Sequence, residues 1–369
     1  MQPKVRQHFL NFKPISYLKD DEEIRNNQDI IDCSHGINPY GCSPLIAEDE
    51  LMLKLKVDEY PPSPFKSLKE SIVNYWSDTI KLETNNLRIT TASIGALESI
   101  TKLFIDKDSK VLGYSPQFSD YISYIHMYGG EYESIRLRKE ENYKFNYQDV
   151  INKINGDYRL IYIDNPNNPT GQAIPVSQLE KIIKTAENND VCVIIDEAYG
   201  DFMDKENSAL TLINKYDNLF VAKSFSKGYG LPGLRIGFMA CSKPLLTYYD
   251  MVHQPFDNNV AGIHAAILSL KDETFIQQSI DRIKESKMKL IDSLSMLNVF
   301  ETSLDVPILT IQHPDEEIDL YKELLKNNIL AVSDIIGLGK NAVRIRIPEN
   351  VEGLIQAFQH VENETKGTP

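Results

Sequence analysis

The sequence predicts an α/β protein: a large domain built on a mainly parallel sheet covered on both faces, followed by a smaller α+β domain. Two observations carry this. From about residue 65, short apolar runs alternate with stretches of helical periodicity, the order that lays helices on both faces of a parallel sheet. After about residue 270 the order changes to one long amphipathic stretch, then two strand-like segments with a helix between them. A length of 369 residues accommodates one large domain plus a smaller one.

Along the chain, residues 1–30 read as an irregular arm with Pro3, Pro14 and a charged patch at 19–23. Turn formers crowd residues 34–44 and 60–64. A helix is predicted over 65–76, where Leu68, Ile72, Val73 and Trp76 fall at helical spacing. Apolar strands are predicted at 87–89, 111–112, 160–163, 191–195, 219–222 and 236–240. A helix over 177–188 buries Leu179, Ile182, Ile183 and Ala186. In the tail, a helix over 271–297 carries Ile276, Ile280, Ile283, Leu290, Leu294 and Leu297 on one stripe. A strand over 306–311, a helix over 315–327 and a strand over 343–347 follow. The predicted division is 1–40 as arm and part of the small domain, 41–250 as the large domain and 251–369 as the small C-terminal domain.

The chain carries 53 acidic and 39 basic side chains, a net charge of −14, with no long basic run. That balance excludes a nucleic-acid or anionic-membrane surface as the main partner. No apolar run approaches the ~18 residues of a membrane span, and the first ten residues hold no apolar signal core. Cys33, Cys42, Cys192 and Cys241 are scattered without metal-type spacing, and the histidines show no ligand pattern. A reduced, cytoplasmic protein without a metal is expected.

Three predicted strands end in polar residues of unusual type. The run 160–163 leads into Asp164, Asn165, Pro166, Asn167, Asn168, Pro169, Thr170 and Gly171; the run 191–195 leads into Asp196, Glu197, Ala198 and Tyr199. The run 219–222 leads to Ser224, Ser226 and Lys227 in a Gly-rich turn that continues to Arg235. Any one alone has a bland account, as a good turn or a helix cap. Together, at the strand ends where open α/β sheets bind ligands, they fit pyridoxal 5′-phosphate (PLP) chemistry. Lys227 suits the aldehyde as a Schiff-base lysine, Asp196 the pyridine nitrogen, and Tyr199 and Asn168 the phenolic oxygen. Ser224, Ser226 and Arg235 suit the phosphate, with Ser93, Gly95 and Ala96, between a strand and a helix, completing an amide cradle.

These motifs resemble the signature of the fold-type I aminotransferases. The likeness extends over almost the whole chain and is strongest to the histidinol-phosphate aminotransferase branch, with the threonine-phosphate decarboxylase group a near relative. The resemblance implies a large domain with a mainly parallel seven-stranded sheet. It also implies that Phe118 stacks on the cofactor ring and that Tyr60 reaches the cofactor phosphate of a neighbouring subunit, which makes the protein a homodimer with shared sites. It further implies that Arg344 clamps the anionic group of the substrate. Arg346 lies two residues on in the same strand, so an exchange of those roles stays open. The loop holding His35, Gly36, Asn38 and Tyr40 resembles the branch's substrate loop.

Two departures stand out. Ser333 occupies the place of a second arginine in the phosphorylated-substrate members, and its absence forfeits about 1.5–3 kcal/mol of charge-assisted contact with a phosphate. His35, Gly36 and Ile37 precede Asn38 where an acidic residue is typical of the histidinol-phosphate enzymes. The expected function is therefore PLP-dependent transfer of the amino group of an L-amino acid other than histidinol phosphate, in exchange with a keto acid. The alternatives are a decarboxylase, or an elimination or cyclisation enzyme of specialised amino-acid biosynthesis on the same fold. A non-catalytic regulatory protein would be expected to have lost Lys227, Asp196 or Arg344, and all are present.

Overall fold

The computed structural model describes residues 13, 24, 27, 29–50, 54–56, 58–61, 65–254, 256–272 and 274–365. The expectations for most of the arm before residue 29 and for 62–64 lie outside the described residues.

In chain order the strands are β1 (Ile31–Asp32), β2 (Leu87–Thr90), β3 (Lys110–Ser115), β4 (Glu131–Arg136), β5 (Tyr158–Asp164) and β6 (Cys192–Glu197). They continue with β7 (Leu219–Ser224), β8 (Gly237–Cys241), β9 (Asn298–Val299), β10 (Ile308–Gln312), β11 (Ile329–Leu330) and β12 (Ala342–Arg346). Seven of them form one sheet in the order β2-β8-β7-β6-β5-β3-β4. Every neighbouring pair is parallel except the two made by β8. The central strands are buried on both faces: along β6, Val193 and Ile195 pack into one apolar layer and Ile194 into the other.

One strand of the large sheet has no counterpart among the predicted ones, as is also true of the two-residue strands β1, β9 and β11. Residues Glu131–Arg136 form β4 at the edge of the large sheet, exposed or half-buried throughout. With polar residues at most positions it has no apolar run to announce it, as suits an edge. Conversely, the helix predicted over 271–297 is shorter, Phe275–Ser293, because Leu294 is already in extended backbone.

A three-stranded antiparallel sheet, β12-β10-β9, and the parallel pair β1-β11 make up the smaller part. The arm thus contributes a strand to the C-terminal region through Ile31 opposite Ile329. Below this sheet the helix Phe275–Ser293 sends Lys287 inward, fully buried. Its Nζ donates to Thr302 Oγ1 (2.7 Å) and to the carbonyls of Ser303 (2.6 Å), Val306 (2.9 Å) and Ile308 (2.8 Å). A buried ammonium is tolerated only with such a set of acceptors.

The segment so held leans on the turn after β5, where Ser303 N–H donates to the Gly171 carbonyl at 2.9 Å. Gly171 has φ +76°, and a Cβ there would overlap the Ile308 carbonyl. Gly171→Ala should therefore destabilise the protein by about 2 kcal/mol or more, read as a lowered urea midpoint at unchanged slope.

Candidate active site

A cavity of about 520 Å³ opens beyond the carboxyl ends of β5, β6 and β7 and at the start of the helix Ala92–Phe104. Alternation along the strands decides what enters it. Asp196 follows Ile195 and returns to the face of Ile194, whereas Glu197 turns to the opposite face and meets Lys223 of β7 at 3.2 Å. Asp196, Tyr199, Asn168, Ser224, Ser226 and Lys227 all line this one space. The structure therefore brings together six of the residues that the sequence separates by up to sixty positions.

Asp196 is 3% exposed and accepts hydrogen bonds from Ala198 N–H (3.1 Å) and Tyr162 Oη (3.2 Å). Burial, and next the negative charge of Asp164, push its carboxyl up to about 7. Lys227 moves the other way. Burial, then the Arg344 and Arg235 guanidinium charges, lower its ammonium to about 8, so a neutral amine is accessible near physiological pH. Its Nζ lies 5.5 Å from the centre of the Tyr199 ring. The backbone is fixed as well: the Lys227 carbonyl accepts Asn38 N–H at 3.1 Å.

Toward Arg235 the cavity is rich in hydroxyls. Ser224 Oγ accepts Ser226 N–H at 3.1 Å, while Ser226 Oγ is buried with no hydrogen-bond partner among the described residues. A buried hydroxyl left so is expected to meet a ligand. Ser93 lines the same space, and Arg235, in left-handed backbone with φ 51°, reaches its rim. Phe118 lines this cavity and a smaller one beside it that also touches Arg344, Asp334, Ile335 and Ile336. Arg344 is 1% exposed; its Nη1 donates to Asn168 Oδ1 at 3.0 Å and its Nη2 to the Ser34 carbonyl.

Several expected positions fall elsewhere. Gly95 and Ala96 do not line the cavity: the helix already begins at Ala92, so Gly95 N–H is taken by the Thr91 carbonyl (3.2 Å), and Ala96 is wholly inside an apolar layer. Ala92, Ser93 and Ile94 hold that edge instead. Asn38 is buried and braces the lysine turn, its Nδ2 donating to the Gly228 carbonyl (2.9 Å) and Ser279 Oγ (3.0 Å). Tyr40 lies under the Arg282 guanidinium at 3.5 Å and faces neither cavity.

Gly36 abuts Tyr199 so closely that a Cβ would overlap the phenol oxygen, and His35 does line the cavity. Tyr60 is 83% exposed beside Phe256, far from an enclosed position. Arg346 donates to the Asp32 carbonyl and reaches neither cavity. Asp120 and Asp164 line the cavity without having been singled out. Asp164 carried the same signal as Asp196, an acid at the end of an apolar strand.

A parallel sheet with a buried lysine, an acid of raised proton affinity and an orphaned hydroxyl converging at its strand ends defines an enzyme of carbonyl-cofactor chemistry. Residues 28–358 match the family described as aminotransferase class I and II, and the chain belongs to that family. It is 32% identical to a histidinol-phosphate aminotransferase of Clostridium novyi, with 82% of this chain and 83% of the relative covered. It is 29% identical to one of Methanococcus maripaludis, with 89% of each covered. Among solved structures, the histidinol-phosphate aminotransferase of Clostridium acetobutylicum superposes with a TM-score of 0.81 at 27% identity, covering 91% of this chain and 100% of that one. The protein is thus a PLP-dependent transaminase, and the donor set described above suits that cofactor. When bound, PLP supplies the electron sink that stabilises negative charge on the substrate carbon.

Proposed function

We propose that the enzyme transfers the amino group of an L-amino acid that carries no phosphate, with Arg344 holding the α-carboxylate. The observation that carries the substrate reading is the supply of cations. Among the described residues lining the two cavities, Arg235 and Arg344 are the permanent cations and Lys227 is a titrating amine, and each already has a task. Ser333, buried between Val332 and Asp334 of the smaller cavity, is a short neutral side chain where a second guanidinium would be needed. The relatives' names attach histidinol phosphate to those proteins, and the departures at Ser333 and His35 argue for a different substrate here.

In this reading Asp196 keeps the pyridine nitrogen protonated, Tyr199 and Asn168 hold the phenolic oxygen, and Phe118 covers the ring. Ser93, Ser224, Ser226 and Arg235 hold the phosphate. Lys227 Nζ would hold the cofactor aldehyde and, as a neutral amine, would serve as the base that moves the proton of the substrate Cα. Arg344 presents its fork to the carboxylate in a water-poor site, already oriented by Asn168 and Ser34. Arg344→Lys should raise KM for the amino acid about 10- to 100-fold with a smaller change in kcat, measured by steady-state kinetics.

We also read the protein as a cytoplasmic homodimer. In support, Tyr60, Phe256 and Met251 are 83%, 50% and 73% exposed in the single chain, an apolar group suited to burial against a second copy. Light scattering should give twice the chain mass.

The test of the function is a panel of L-amino acids and histidinol phosphate offered to the holoenzyme with 2-oxoglutarate. Formation of the matching keto acid from an unphosphorylated amino acid is the expected result. Preferred turnover of histidinol phosphate would overturn the substrate reading. Release of carbon dioxide, or of a side-chain substituent, would replace transfer by the lyase reading.

A further inference from the structure

Asp164 ends β5 directly beside Asp196 of β6, its register partner, and both acids line the cavity. Its surroundings are all donors. Oδ1 accepts Tyr114 Oη (2.8 Å), Gln117 Nε2 (2.9 Å) and Asn167 Nδ2 (3.1 Å). Oδ2 accepts Asn168 N–H (2.9 Å) and Asn167 Nδ2 at 3.2 Å. Burial raises the proton affinity of this carboxyl, and the donors on both oxygens oppose that by favouring the ionised form, which can accept from all five contacts.

These donors come from two loops that lie some fifty residues apart. Tyr114 and Gln117 flank the segment after β3 that delivers Phe118, and Gln117 also donates to the Tyr162 carbonyl at 3.1 Å. Asn167 and Asn168 belong to the turn after β5 that meets Arg344. We propose that Asp164 is a positioning residue for the cofactor: one buried carboxylate ties the Phe118 loop to the Asn168 turn and sets a fixed negative charge next to Asp196.

The charge has few competitors. The titratable groups facing Asp164 are Tyr114 of β3, Tyr132 of β4, Tyr162 of its own strand and Asp196 of β6. Burial drives the three phenols well above 10, so they stay neutral across the working range of the enzyme. The asparagine variant keeps the volume but turns an NH₂ toward a ring of donors, so at least one contact becomes repulsive.

The inference rests on the cofactor-facing roles given to Phe118 and Asn168 above. Its test is reconstitution of Asp164→Asn and Gln117→Ala with PLP, alongside the parent enzyme. We expect Asp164→Asn to bind PLP at least about tenfold more weakly. The pH midpoint of the visible band of PLP joined to Lys227 should also fall by about one unit, because a negative charge that favoured its protonation is gone. Gln117→Ala removes one tie and leaves the charge, so PLP affinity should fall several-fold with the midpoint unmoved.

Parent-like affinity and midpoint in Asp164→Asn would overturn the proposal, as would a lowered melting temperature with both unchanged. Should Asp164→Asn not fold, parent-like PLP affinity in Gln117→Ala overturns it instead. A parent enzyme that itself fails to bind PLP would remove the cofactor reading rather than this one.

Discussion

Lys227→Ala should lower transamination by at least about 10⁴-fold and abolish the visible band of lysine-bound PLP, while PLP itself still binds. The size follows from two losses at one atom: the covalent attachment and the amine that moves the substrate proton. Burial and the neighbouring guanidinium charges hold this amine near 8, where a large neutral fraction exists at pH 7 to 8. Alanine removes the amine and leaves the surrounding hydrogen bonds, which run through the Lys227 backbone and not its side chain. Single-turnover absorbance of the reconstituted variant checks this. A small primary amine added to the buffer should return part of the rate, since it replaces the proton carrier though not the attachment. Retained turnover in Lys227→Ala would remove the assignment.

Asp196→Asn should lower kcat by about 10³-fold and at the same time stabilise the cofactor-free protein above neutrality. Asparagine cannot hold a proton on the pyridine nitrogen, so the ring becomes a poor electron acceptor. The stability effect has the opposite sign because the wild-type carboxyl is buried. Its proton affinity in the folded chain is raised from 3.8 to about 7, so the folded state binds the extra proton. Stability from that group is complete below about pH 4 and drains away as pH rises through 7. The neutral amide has no such loss. At pH 8 the variant's advantage approaches a limit of about 4 kcal/mol, the full free energy of a shift from 3.8 to about 7. Urea unfolding of cofactor-free wild type and variant at pH 5 and pH 8 should show the curves crossing or converging on the acid side. Equal pH dependence in both would dismiss a buried, protonated Asp196.

The buried strands were legible because burial on two faces leaves a plain trace, an apolar run such as 191–195 ending abruptly in Asp196. The lysine, acid, tyrosine and asparagine of the site stood at those abrupt ends and could be read with them. Strand β4 left no such trace, since an edge strand with few buried side chains obeys no apolar rule. Gly95 misled for a different reason. A glycine after a strand suggests a free amide, but Ala92 already takes the left-handed conformation with φ 57° and starts the helix three residues earlier. Asn38 shows a third limit: expected in the substrate loop, it lines neither cavity and its amide turns to Gly228 and Ser279, partners 190 and 241 positions away. The role of Asp164 has no trace in spacing because two of its donors, Tyr114 and Gln117, come from a stretch nearly fifty residues away.

Lys287 has a consequence outside the cavity. Four oxygens of the chain converge on one buried amine, a cluster of acceptors that would otherwise need solvent to satisfy it. The segment that props the Gly171 turn is therefore pinned by the chain's own amine, out of reach of solvent. One lysine on a helix of the smaller part thus helps to set the shape of a turn in the larger one, so a change at position 287 would be felt well beyond its own helix.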